Sequence, residues 1–150
     1  MPKIDMAKSE ERKGSSYPAP HDAPCAARIR RVLGEAGGLS DFGVNLLTLP
    51  PGVWSSQRHW HSAEDEFVIV LAGEVVLVTD KGETAMRAGD CAGFPKGLAD
   101  GHHLVNRGDR PATVLEVGTR STNDVCTYSD IDMMVGGDGR FTRKDGSPYP

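Results

Sequence analysis

From Val44 onward the chain is a succession of short β-branched runs cut at regular intervals by glycine and proline, a pattern few folds accept. The runs read VNLLTL, EFVIVLAG, EVVLVTD, CAGF, HHLVN and ATVLEVG. Between them stand PPG at 50–52, AG at 72–73, DKG at 80–82, AGD at 88–90, PKG at 95–97 and NRGD at 106–109. These clusters supply proline's fixed φ or glycine's access to positive φ, which tight turns need. Recurrence at roughly 8–12 residues predicts an antiparallel, all-β sandwich or barrel. The 18 Gly and 10 Pro among 150 residues agree with many turns and little helix. Phe67 to Leu71 is apolar at every position, which predicts a strand covered on both faces.

The flanks read differently. Residues 1–24 are polar and proline-containing, and predict an irregular, flexible arm. Residues 25–37 (CAARIRRVLGEAG) fit a short helical turn or an edge strand equally well. The barrel is expected over 25–120. The polar, glycine-rich tail 121–150 keeps Tyr128, Ile131, Met133, Met134 and Phe141, and is expected to pack on the barrel or on a second subunit. A net charge of −4 argues against nucleic acid or an anionic membrane as a main partner. No apolar run approaches the length needed to cross a bilayer. The opening MPKIDMAKSEERKG lacks the apolar core of a secretory signal. Cys25, Cys91 and Cys126 are odd in number and far apart, which suits reduced thiols and a cytoplasmic location.

Four of the 5 histidines fall in two short patches, His59 with His61 and His102 with His103. On a strand, the i, i+2 spacing of His59 and His61 sends both imidazoles to one face, about 7 Å apart along the backbone. That is a ligand pair for one ion. With a carboxylate it suits a first-row divalent metal such as Mn, Fe, Co, Ni or Zn.

Two longer patterns carry a resemblance. The first runs Gly52, His59-Trp60-His61, four residues, Glu66, six residues, Gly73. The second runs Gly89, five residues, Pro95-Lys96-Gly97, then His102, three residues, Asn106. Together, over about residues 44–118, they resemble the two motifs of the cupin superfamily. The resemblance implies a double-stranded β-helix, or jelly-roll, and one metal held by His59, His61, Glu66 and His102. Two intervals depart from the pattern. Six residues separate Gly52 from His59 where five are usual, and four separate Gly97 from His102 where two are usual. Spacing to Gly73 selects Glu66 over Glu64 and Asp65; spacing to Asn106 favours His102, with the adjacent His103 as the alternative last ligand.

Alternation then places Val68 and Val70 inside the barrel, Leu104 on His102's face, and Gln57 on the face of His59 and His61. These four are the expected substrate-binding residues. Glu116 is either an inward second carboxylate or a surface charge; the surface is favoured. No Arg or Lys falls clearly on the ligand face, which weighs against a phosphorylated substrate. The wider sequence is similar to small bacterial cupins, some labelled sugar-phosphate isomerases. Three function classes follow: a metal-dependent isomerase acting on a small sugar or organic acid, a metal-dependent dioxygenase, or a non-catalytic small-molecule binding protein. A homodimer is expected from the outward Phe67, Ile69 and Leu71 and from the apolar residues of the tail.

Overall fold

In the run Phe42–Leu49, Asn45, Leu47 and Leu49 are buried and their neighbours are not, the period of two that lays one strand face on a core. The computed structural model describes residues 2–150, and this run is the third of its strands. In chain order they are β1 (Glu11–Lys13), β2 (Ile29–Val32), β3 (Phe42–Leu49), β4 (His59–His61), β5 (Glu66–Ala72), β6 (Glu74–Thr79) and β7 (Gly82–Arg87). There follow β8 (Cys91–Phe94), β9 (His103–Val105), β10 (Ala112–Thr119), β11 (Cys126–Tyr128), β12 (Met134–Val135) and β13 (Phe141–Thr142). All pair antiparallel, in sheets ordered β1-β2-β3-β10-β5-β8, β13-β12-β11-β4 and β7-β6-β9.

The first and third of these sheets close on one core. Leu47, Leu49, Val70 and Val114 from the large sheet meet Val75, Met86 and Leu104 from the small one. The result is the expected all-β jelly-roll barrel. Gly73 turns β5 into β6 at φ +76°, and a Cβ there would stand 2.7 Å from the carbonyl oxygen of Pro111. No larger residue fits that hairpin.

The flanks hold more structure than composition suggested. Within the stretch read as an irregular arm, β1 pairs with β2 and extends the large sheet. The ambiguous stretch 25–37 resolves into β2 followed by one helical turn, Leu33–Ala36. In the tail, Cys126, Tyr128 and Met133 form a second small core, against which Tyr17, Ile131, Val135, Phe141 and Tyr149 pack. Cys126, Tyr128 and Met133 are therefore buried within the chain and the others partly so, and they no longer argue for a partner subunit. The outer face of β5 does not have the cover expected of it: Phe67 is 41% and Leu71 is 49% exposed. Among the described residues, no helix is long and apolar enough to cross a membrane.

Candidate metal centre

Three strands and one bridge bring the two histidine patches together. β4 presents His59 and His61 at alternate positions, with Trp60 between them on the other face. His102 lies opposite His59 in an antiparallel bridge: His59 N donates to His102 O at 3.2 Å, and His102 N to His59 O at 2.9 Å. Directly opposed residues share a face, so the bridge sets the His102 ring beside that of His59, with centroids 4.8 Å apart. Glu66, first residue of β5, meets all three. Its Oε1 lies 3.5 Å from His59 Nε2 and 3.2 Å from His61 Nε2, and its Oε2 lies 2.6 Å from His102 Nε2. Glu66 Oε2 is buried, yet no donor is aligned on it as in a hydrogen bond. Of these, ligand atoms of His59, Glu66 and His102 all lie within 4.8 Å of one another, with His61 Nε2 beside Glu66, a donor set that fits a cation of the borderline class that nitrogen and carboxylate donors select.

The far sides of the rings are also held. His59 Nδ1 lies 2.8 Å from Gln57 O, and His61 Nδ1 lies 2.6 Å from Asp124 Oδ2. Both partners are acceptors, so a neutral, metal-binding form of each ring would keep its proton on Nδ1 and leave Nε2 free for an ion. Asp124 is itself fixed by the main-chain N–H of Ala63 at 2.9 Å. Phe94 stacks on His102 with centroids 3.5 Å apart and planes parallel to 1°. Burial acts against a charge on His61, but Glu66 and Asp124 outweigh it and raise its pKa to about 9. Burial holds His102 below its ordinary value. Glu66 is also opposed by burial, yet its three histidine neighbours hold its carboxyl far below the usual range. Cys126 Sγ lies within 4.8 Å of nitrogens of His59 and His61. Burial pushes this thiol's pKa up, so it stays protonated and is a poor competitor for the ion.

The Cupin domain family matches residues 45–118. A sugar phosphate isomerase of the cupin superfamily from Silicibacter pomeroyi is 53% identical over 99% of this chain and 97% of that one, with a TM-score of 0.94. The chain is a cupin. A protein from Acidithiobacillus ferrooxidans with a provisional sugar phosphate isomerase label is 31% identical over 78% of this cupin and 75% of its own chain, with a TM-score of 0.72. The polyketide cyclase of Streptomyces resistomycificus shares the fold alone, at 20% identity over 79% of each chain and a TM-score of 0.62. No curated protein matches.

The four ligand candidates of this cupin face a cavity of about 440 Å³, which Val68 and Leu104 also line, as the sequence predicts. Val70 and Gln57 do not line it. Val70 points inward as alternation requires, but it lies two residues beyond Val68, in the closed core at 0% exposure. Gln57 precedes β4 and is outside its alternation; its carboxamide donates to His21 O at 2.8 Å, and only its carbonyl serves the site, through His59. Glu116, favoured for the surface, faces the cavity, because β10 sets it opposite Val68 on one side and Asn45 on the other. His103 is buried against Trp54, with its Nδ1 2.8 Å from Ser56 O, and takes no part in the ligand cluster. Sequence reasoning also missed the cations. Arg28, Arg30 and Arg120 all line the cavity, which removes the objection to an anionic substrate. The i, i+2 spacing of Arg28 and Arg30 was the available signal. Asp124 carried none, standing 63 residues from the ring it holds.

Proposed function

We propose that this cupin is a metal-dependent enzyme that isomerises a small polar metabolite, a sugar or an organic acid. The observation that carries the reading is the convergence of three imidazole Nε2 atoms on Glu66 at one wall of a 440 Å³ cavity. A divalent first-row metal held there by His59, His61, Glu66 and His102 would supply Lewis-acid polarisation of a carbonyl or hydroxyl. The chain's own groups do the rest. The Gln57 carbonyl and Asp124 orient His59 and His61. Tyr17 and Tyr128, lining the same cavity, keep their phenolic protons: burial pushes the pKa of Tyr17 to about 12 and that of Tyr128 up as well. They offer neutral donors to substrate hydroxyls. Glu116, with Asn45 Nδ2 at 3.4 Å and Arg30 Nε at 3.5 Å, is the carboxylate placed to hold and move a proton.

The name carried by the Silicibacter pomeroyi relative supports an isomerase over a dioxygenase. Reconstitution with Fe, Mn, Co, Ni and Zn in turn, followed by dioxygen uptake and aldose–ketose interconversion assays, tests it. Interconversion with several redox-inert metals is expected. Oxygen uptake confined to Fe would favour the dioxygenase, and tight binding without turnover would favour a non-catalytic binding protein. We also propose that two copies pair through the outer face of β5, where Phe67 and Leu71 are exposed. A cytoplasmic location belongs to the same reading, with Cys25, Cys91 and Cys126 as free thiols.

A further inference from the structure

The cavity wall made by β2, β3 and β10 carries guanidinium donors that nothing in the chain takes up. Arg28 is fully engaged: Nη1 donates to Ser55 O at 2.6 Å, while Nε and Nη2 donate to Gly14 O at 3.2 and 2.7 Å. Arg30 differs. Its Nε is buried without a hydrogen-bond partner, and Glu116 Oε1 lies 3.5 Å away. Ser15, on the same cavity, keeps a buried hydroxyl that is also unpartnered. Arg120 enters no ion pair among the described residues, and its side chain makes one hydrogen bond there, a 3.4 Å contact from Nη1 to Thr119 O.

Arg120 is seated by the absence of side chains beneath it. Gly43 and Gly118 oppose each other across β3 and β10. A Cβ on Gly43 would stand 1.9 Å from Arg120 Nη2 and 2.4 Å from Cζ, so the guanidinium lies in the notch the two glycines leave. A Cβ on Gly118 would be 3.7 Å from Arg120 Nη1 and equally 3.7 Å from Glu66 Cγ. The guanidinium thus overlooks the carboxylate of the candidate metal centre. The next inward row, Asn45–Glu116–Val68, follows at roughly 7 Å, and Arg30 reaches it from β2. Arg28, Arg30 and Arg120 line the cavity together with Glu64, Glu66, Glu116 and Asp124, and of these carboxylates Glu116 is the one that Arg30 meets. Buried polar atoms nearly always have partners. Arg30 Nε and Ser15 Oγ lack them on a cavity that the unpaired Arg120 guanidinium also lines, which leaves room for a polar ligand of opposite charge.

We infer that Arg120, seated over Gly43 and Gly118, forms with Arg30 and Ser15 a subsite for an oxyanion group of the substrate, a phosphate or a carboxylate. Guanidinium forks match both groups through paired hydrogen bonds. The inference deepens the proposed function and rests on it only for what the rest of the molecule carries. Calorimetry on the metal-free protein, with inorganic phosphate and malonate as separate probes, tests the subsite apart from catalysis. Parent protein binds at least one probe. Arg120→Met weakens that binding about tenfold or more. Gly43→Ala keeps the charge but evicts the guanidinium, and weakens it comparably, while metal uptake and circular dichroism stay unchanged in both variants. Preference for phosphate identifies a phosphorylated substrate, and preference for malonate a carboxylic acid. Failure of both probes to bind, or parental affinity in both variants, overturns the subsite. Loss of the isomerase reading with anion binding intact would leave the subsite standing.

Discussion

Asp124 Oδ2 stands 2.6 Å from Nδ1 of His61, across a separation of 63 residues. A carboxylate behind a ligating imidazole fixes its tautomer and raises its basicity. Asp124→Ala is therefore expected to weaken metal binding by roughly 10–100-fold, with Asp124→Asn, which can still accept the Nδ1 proton, falling between variant and parent. Competition against a calibrated chelator measures this. Equal affinities in all three proteins would mean that Asp124 does not support metal binding.

Elemental analysis of reconstituted protein should return one divalent metal per chain. Binding confined to the folded state stabilises it by about 2.7 kcal/mol at a free concentration one hundred times Kd. The parent's melting temperature should thus rise on adding metal, while His61→Ala should gain little.

Without metal, the pH dependence has two limbs. His61 is raised from its ordinary 6.5 to about 9, so its stabilising contribution is full below 6.5 and is lost as pH climbs through 9. Glu66 is lowered from 4.5, so its contribution is present above that value and fades as pH falls further. Melting temperature of the metal-free protein should peak between these values and fall on the alkaline side, a fall that His61→Gln removes. Metal affinity should rise across the same alkaline range, because the proton on His61 must leave. A flat melting profile from pH 6.5 to 9 would contradict the assignment.

Light scattering at micromolar concentration should give about twice the 16.1 kDa of one chain. Phe67→Lys should halve it, because a charge then sits on the apolar outer face of β5. A monomeric parent would end the dimer proposal.

Arg58 ties the tail to the loop that leads into His102. Its Nε and Nη2 donate to Asp130 at 2.9 Å each and its Nη1 to Gly101 O at 2.8 Å, with Asp80 completing the set. The side chain is only 13% exposed. Arg58→Ala should cost about 2 kcal/mol in urea unfolding and should weaken metal binding through the loosened His102 strand. Unchanged unfolding would mean these contacts are redundant.

The barrel was legible because alternation and turn chemistry are local: Val68, Leu104 and the ligand candidates of β4 and β5 face the cavity they were expected to face. What escaped depends on strand partners far away in sequence. Glu116 is turned inward by its register with Val68 and Asn45, and nothing near Glu116 in the chain records that pairing. Arg120 enters the cavity because two glycines on different strands meet beneath it. Gln57 lay beyond the strand whose alternation was extended to it. The extra residues between Gly97 and His102 are taken up in the loop, because the bridge to His59 holds His102 beside it.

β11 pairs with β4 residue for residue, Cys126 against His61 and Tyr128 against His59. The strand that carries two of the candidate ligands thus has its neighbour in a part of the chain beyond the 45–118 core of the family. A barrel trimmed to that core would lose more than an appendage. The edge of β4 would lie open to water, His61 would lose the carboxylate of Asp124, and the cavity would lose Tyr17 and Tyr128 themselves. In modular terms the domain cannot be transplanted at its family boundaries: the last thirty or so residues travel with the candidate site, and grafts or fusions must keep them to keep its histidines in place.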